Sequence, residues 1–570
     1  MISTMPPSGT ERKRVIWTLA LLVALALGMR LASVGRLLPH DREPDAFEVY
    51  EMQRAQADPA LVKGVNFQAR YPWFLAWTLA ALPAARAPAS VSAAEAEEQH
   101  LAAAAAPFER VRIAVALLAT LQVLLTFFLA RRFLPERAAL VAVFLVATSL
   151  LQLLFSTEAR PHGANAGLTL LALITALQLA QGLSLGRLAL AVLCSAVSIA
   201  TFQLGLATLP PLCLACLLLP GRGLRTRILL ALAAPLVALA LAMPWYTNRP
   251  YIDSTGVHLA SQEGGGHTLF FQGMDFLGSW RGAQMLFEHD PALALLSLGG
   301  IVLLLVRARR SWRAASAGTR RALLVAGAFA IPYALVITIQ GEVYERFLIP
   351  LVPFLALAGA LFFNWLWRTP AALVLLAVPA LSALQFVRLA RAPDAYEQTA
   401  GWIQEHVSGT AKIALYPDTA LPLLYAPEAL AAQMQDLSAR NLPWVTYQAT
   451  IPALPQGTPT WNVRCVPREL VGPRSTATPA AVRQWLIDER VEYLVVQHSR
   501  LMTNLPLLAH LEQAAGELGE QSFVSRGAAP GLIEDGPVEY QGIRRLAWRQ
   551  MQQSALGPEL RVWKIRQRGN

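Results

Sequence analysis

Charge is scarce in this sequence: 15% of its 570 residues are charged, against 55% that are hydrophobic, and the mean hydropathy is positive. That shortage excludes an ordinary soluble enzyme of several domains and implies a membrane protein. Cysteine is scarce too. Of the four, Cys194, Cys213 and Cys216 fall inside apolar runs and Cys465 stands alone, which excludes a disulfide framework. The pair in "CLAC" has metal-ligand spacing but no second ligand pair nearby, so both thiols read as small packing residues. No P-loop and no dinucleotide fingerprint occurs, so nothing in the chain is built to hold a soluble nucleotide. The formal net charge of +11 does not point to nucleic acid, because the excess arginines sit in short loops between apolar runs, where they set membrane orientation.

Long apolar runs are what the sequence has instead. A helix needs about 20 residues to cross the hydrocarbon core. Runs of that kind recur at 15–33, 112–130, 138–155, 164–182, 188–204, 205–219, 228–245, 291–306, 322–340, 347–367 and 370–390. The turn "FQLGLATLPP", with its two prolines, separates the fifth from the sixth. The pattern predicts an α-helical polytopic membrane protein with about eleven transmembrane helices. Basic residues collect on alternate connections: Arg12, Lys13 and Arg14 before the first run, Arg131, Arg132 and Arg137 after the second, Arg222, Arg225 and Arg227 after the sixth, "RARRSWRAASAGTRR" after the eighth and Arg368 after the tenth. Eleven spans put all of these in the cytoplasm. The N-terminus is then cytoplasmic, and 34–111, 156–163, 246–290, 341–346 and everything after about 391 lie outside an inner (plasma) membrane. No small-residue cleavage site precedes the acidic stretch, so the first run reads as a retained anchor.

Composition changes after residue 391. "APDAYEQTAGWIQEHVSGTAKIALYPD" reads as amphipathic helix, turn and strand, "PAAVRQWLIDERVEYLVVQHS" repeats that order, and "GPELRVWKI" reads as a closing strand. Residues 1–391 are therefore expected to form the membrane domain, and 392–570 a C-terminal soluble α/β domain on the outer face. The latter lacks a phosphate loop and a metal-ligand cluster, which suits binding or shaping access better than chemistry.

Four outer-face segments carry the candidate chemistry, since ionisable groups near a membrane are costly. In "PHDREPDAFEVYE" the carboxylates of Asp41, Glu43, Asp45, Glu48 and Glu51 crowd the mouth of the first span, and "VNFQARYPWFLAWTLAALPA" follows, expected as an interface helix with Tyr71, Trp73 and Trp77 at headgroup depth. "STEARPHGANAG" sets Glu158, Arg160 and His162 within one helical turn of the membrane surface, at a spacing that suits metal ligands or a salt-linked cap. The stretch 246–290 holds three consecutive glycines between Glu263 and His267, which suits a mobile lid. "GEVYERFLIPLVPFLAL" carries Glu342 and Arg346 ahead of Pro350 and Pro353. Arg346 reads either as a snorkelling anchor or as a planar fork for a lipid phosphate.

Two of these pieces resemble a known family. "MRLASVGRLLPHDREPDAF" resembles an Arg in span one followed by a Pro-Asp-Glu segment, and "ERFLIPLVPFLAL" resembles an Arg-aromatic-Leu-x-Pro-x-x-Pro run. Both are features of the GT-C superfamily of membrane glycosyltransferases, within it the bacterial relatives of protein O-mannosyltransferases and of the lipid A aminoarabinose transferase. The resemblance covers 15–390. It implies a polyprenyl-phosphate-linked sugar as donor and transfer on the outer face with inversion. The catalytic base falls on Asp45, with Glu43 as its rival, because Ala46 stands where the family has its second acid. Arg346 and Arg160 would hold the donor phosphate, and Glu158, His162, Tyr71, Glu342 and His267 would line the substrate cavity. His162 stands where many relatives carry an Asp, which leaves a divalent metal open and assigns no ligand set. A glycan, a lipid or a protein hydroxyl all fit as acceptor. A secondary transporter and a non-catalytic envelope scaffold remain the alternatives, although neither an internal repeat nor charges deep in several spans support the transporter.

Overall fold

The computed structural model describes residues 9–39, scattered positions between 67 and 93, and then 95–253, 256–261, 276–340, 343–416, 420–435, 442–467, 470, 478–498, 506–525, 548 and 551–566. The chain divides into two compact units. One comprises Met1–Val34, Glu48–Leu82 and Val111–Leu384, and the other Gly35–Phe47, Pro83–Arg110 and Gln385–Asn570.

Every apolar run named above is helical. The helices are α1 (Gly9–Leu31), α2 (Ala96–Ala130), α3 (Glu136–Thr148), α4 (Leu150–Ser156), α5 (Pro161–Leu179), α6 (Leu185–Thr201), α7 (Leu209–Leu217), α8 (Leu224–Ala242), α9 (Gly278–His289), α10 (Pro291–Ala314), α11 (Ala317–Ile339), α12 (Val352–Leu366) and α13 (Pro370–Arg391). Among the described residues, 8 helices are long and apolar enough to cross a membrane, and up to 9 when α3 and α4, bent by 53° at Ser149, count as one span. The two remaining runs, Leu185–Thr201 and Gln203–Leu217, are shorter apolar helices, kept apart by the 3-10 turn Gln203–Thr208 that begins the second of them. Leu21, Leu236, Leu298, Ile331 and Leu373 are all more than half exposed, as expected of side chains that face lipid. Apolar tails gain nothing from helix association in lipid, so close packing must hold the helices together. Gly300 of α10 meets this need: a methyl group there would collide with the Ala358 carbonyl of α12. Gly167 of α5 does the same against the Leu118 carbonyl of α2.

One expectation is corrected here. The expected interface helix does not begin as a helix: Phe67–Gln68 is a strand, β1, antiparallel to β2 (Asn248–Asp253), and among the described residues helix lies further on, at Phe74, Leu75 and Thr78. Of the stretch 246–290, expected as a mobile lid, the three consecutive glycines with Glu263 and His267 lie outside the described residues. β2 pairs with β3 (Gly256–Ser261) from Asn248↔Ser261 to Asp253↔Gly256, a hairpin with a two-residue link, and α9 follows.

The second unit is built on a five-stranded sheet of order β5-β4-β6-β8-β7. Its strands are β4 (Lys412–Tyr416), β5 (Asn462–Cys465), β6 (Tyr493–His498), β7 (Gly519–Val524) and β8 (Glu559–Ile565). β5, β4 and β6 are parallel, whereas β8 runs antiparallel to β6 and β7. The helix-then-strand repeats α14 (Ala395–His406) to β4 and α15 (Pro479–Asp488) to β6 are those read from the sequence. Asp394 starts α14 with a capping box: its carboxylate accepts from Tyr396 N and Glu397 N while Glu397 accepts from Asp394 N. Val482, Leu486, Leu494, Val496 and Leu511 form its core. This unit also holds the first turns of α2, where Glu97 accepts from Gln404 at 2.6 Å and His100 bonds the Tyr447 hydroxyl at 3.2 Å.

Candidate functional site

Proline placement explains the local geometry around Arg160. Pro161 opens α5 at its first position, where its missing N–H has no intrahelical use, and the residue before a proline is driven to extended backbone. Arg160 is accordingly the N-cap, at φ −120 and ψ 152. Its guanidinium lies 3.6 Å from the Glu158 carboxylate, with both side chains almost wholly buried. His162, one residue into α5, is buried with its ring edge-on to Phe202 at 4.6 Å.

The segment ahead of α12 is shaped by two more prolines. Glu345–Phe347 and Ile349–Leu351 are 3-10 turns. Pro350 and Pro353 cannot donate, so the carbonyls of Phe347 and Ile349 lose helical partners at three and four residues further on, respectively. The N–H of Leu351, the other helical donor within reach of Phe347, is engaged with the Leu348 carbonyl at 2.9 Å. Outside groups take over. The Tyr333 hydroxyl of α11 donates to the Phe347 carbonyl at 3.0 Å. Gln152 of α4 donates to the Ile349 carbonyl at 3.0 Å and Gln122 of α2 at 3.4 Å, beside a 3-10 bond from Val352 N. Arg346, half-buried, is held in this turn with its guanidinium over the Tyr344 ring at 4.7 Å and the Phe347 ring at 5.7 Å.

These two segments converge. Arg346 and Arg160 both act electrostatically on His162, and Glu345, buried, interacts with Arg346 and with Glu288 of α9. A third feature anchors the set. Asp290, between α9 and α10, is buried and accepts from the Ser149 hydroxyl at 2.7 Å, from Leu150 N at 2.7 Å and from Leu151 N at 3.2 Å, so it caps the broken helix α4 from elsewhere in the chain. Burial pushes its carboxyl up to about 6, against the lowering effect of those three bonds. Burial pushes the neighbouring His289 down to about 4, although its ring bonds the Met285 carbonyl at 2.9 Å.

Of the residues singled out in the sequence, Glu158, Arg160, His162 and Arg346 are thus brought together. Asp45, Glu43, Tyr71, Glu342 and His267 lie outside the described residues. Arg30, in the last turn of α1, is fully buried and donates to the Ala26 carbonyl at 3.0 Å. Sequence reasoning missed Glu345, Asp290, Gln122, Gln152 and Tyr333. Glutamines inside apolar runs were a usable signal, because an unpaired amide in a membrane is costly. Among the described residues no group of three or more His, Cys, Asp or Glu is placed to hold a metal ion.

No family model and no curated protein matches the chain by sequence. Solved structures are similar to it. ArnT from Cupriavidus metallidurans in the apo state superposes with a TM-score of 0.44 at 15% identity, over 84% of this chain and 92% of that one. The same protein bound to undecaprenyl phosphate gives 0.43 at 15% identity, over 95% of this chain and 97% of that one. The oligosaccharyltransferase of Archaeoglobus fulgidus in the apo form gives 0.44 at 13% identity, over 95% of this chain and 78% of that one.

Proposed function

We propose that this chain is an inverting glycosyltransferase that moves a sugar from a polyprenyl-phosphate-linked donor to an acceptor hydroxyl or phosphate on the extracytoplasmic face. The observation that carries the reading is the convergence of Arg160 and Arg346 on His162, beside Glu158, at the ends of two spans. Two guanidiniums at such a place suit a phosphate at headgroup depth, for which Arg offers a planar pair of donors.

The donor is a phosphodiester with one negative charge, and its leaving group is a phosphate monoester with two. A carboxylate takes the proton of the acceptor hydroxyl while that oxygen attacks the anomeric carbon from the face opposite the phosphate. The bond from that carbon to the phosphate oxygen breaks, its electron pair stays with the polyprenyl phosphate, and the configuration inverts. General-base help of this kind is worth about 10²–10⁴-fold. The growing charge falls on the oxygens nearest Arg346 and Arg160, where fixed donors in a site of low dielectric are most effective. Asp45 is the base we favour, on the register of "PDAFEVYE", with Glu43 its rival.

Transfer of radiolabel from a polyprenyl-phosphate sugar to envelope glycoconjugates, measured with the purified chain in reconstituted membranes, tests the reading. Transfer that disappears in Arg346→Ala supports it. Absence of transfer with every lipid-linked sugar of a producing strain, alongside measurable solute flux, would replace it with a transporter.

A further inference from the structure

We propose that Gln152 and Tyr333 are positioning residues for Arg346, and that they act by supplying the backbone hydrogen bonds that Pro350 and Pro353 withhold. This rests on the reading of Arg346 as a phosphate-binding group. The turn Glu345–Phe347 has few bonds of its own, because a proline at 350 removes one donor to the Phe347 carbonyl and a proline at 353 removes the α-helical donor to the Ile349 carbonyl. With the Phe347 carbonyl unheld and the Ile349 carbonyl left to the 3-10 bond from Val352 N, the turn that carries the guanidinium is freer to rotate about Leu348, and a displacement of 1 Å at a binding group costs about 10²-fold in a well-placed reaction. Tyr333 holds the first carbonyl and Gln152 the second, with Gln122 adding a longer bond to the same oxygen.

A second observation separates this role from ordinary packing. The Oε1 atoms of Gln152 and Gln122 are buried without a hydrogen-bond partner, and the residues themselves are 1% and 0% exposed. An orphaned acceptor in such a place opposes folding, so a chain selected for stability alone would place leucine there. What the amide supplies is its N–H, and that N–H goes to the segment bearing Arg346. Gln152 is itself fixed, because it lies in the first turn of the short helix α4 that Asp290 caps.

The test measures binding of undecaprenyl phosphate to the full chain in lipid nanodiscs, with thermal stability recorded on the same samples. Gln152→Leu should weaken binding about tenfold while leaving the melting temperature equal or higher. Tyr333→Phe, which removes only the hydroxyl, should act in the same direction and serves where the leucine variant does not fold. Pro353→Ala restores an N–H that can reach the Ile349 carbonyl, so Gln152→Leu combined with Pro353→Ala should recover binding to within about twofold of the parent. Packing alone predicts no such rescue. Normal binding by Gln152→Leu and Tyr333→Phe, with binding lost in Arg346→Ala, overturns this inference and leaves the phosphate role standing. A double variant as weak as Gln152→Leu alone overturns it too. Normal binding by Arg346→Ala overturns the phosphate role, and the inference with it.

Discussion

The Ser149 hydroxyl and the Asp290 carboxylate, 141 positions apart in the chain, meet at 2.7 Å, and the same carboxylate takes the first two N–H groups of the helix that begins after Ser149. A span broken at Ser149 would otherwise leave those donors unsatisfied where water is excluded. Asp290 therefore sets where α4 begins, and α4 carries Gln152. Asp290→Ala removes all three bonds and should lower stability by about 2–4 kcal/mol, measured as a loss of thermal stability in detergent. An unchanged melting temperature would show that the cap is not needed.

Asp290 and its neighbour His289 should respond to pH with opposite sign. The folded chain holds the Asp290 proton up to about 6, above its unfolded value, so this group's stabilisation is full below about pH 4 and is lost as pH rises through 6. His289 is pushed down to about 4, so the unfolded chain binds the extra proton and stability rises with pH up to the ordinary histidine range. The two slopes oppose each other over roughly pH 4–6. Asp290→Asn should expose a rising profile and His289→Gln a falling one, read from melting temperature against pH. Identical profiles in both variants would contradict the assignment.

Arg346→Lys keeps the charge but loses the planar fork, whereas Arg346→Ala loses both. Affinity for a polyprenyl-phosphate donor should fall by about tenfold in the first and further in the second. Equal and unchanged affinity in the two variants would return Arg346 to the role of a membrane anchor.

Asp45→Asn is nearly isosteric and cannot take a proton. Turnover should fall by about 10²–10⁴-fold, with donor affinity retained. Near-normal turnover in Asp45→Asn together with a dead Glu43→Gln would move the base to Glu43.

A reporter active only outside the inner membrane, fused after Asn570, should be active, since every arginine-rich connection is then cytoplasmic. Activity of a cytoplasm-only reporter at the same position would break the eleven-span parity.

The membrane helices were legible in the sequence because a run of apolar residues long enough to cross the bilayer has almost no alternative to helix there: its own backbone must satisfy every N–H and C=O. The helix–strand repeats of residues 395–416 and 479–498 were legible for a similar local reason, the change of apolar period from helical to alternating. Pro161 and the pair Pro350 and Pro353 announced irregular backbone beside Arg160 and Arg346, but not what would compensate for it. Tertiary structure alone decided that. The donor to the Ile349 carbonyl comes from Gln152, 197 positions away, and the cap of α4 comes from Asp290; neither bond leaves a local pattern. The same holds for Glu345, which reads in sequence as one more surface acid and is buried, and for the start of α2, which joins the α/β unit through Glu97 and His100. Local patterning sets which elements form, because it acts through the backbone of the element itself. Which polar groups are left without water, and which distant side chains must then satisfy them, follows only from how the helices pack.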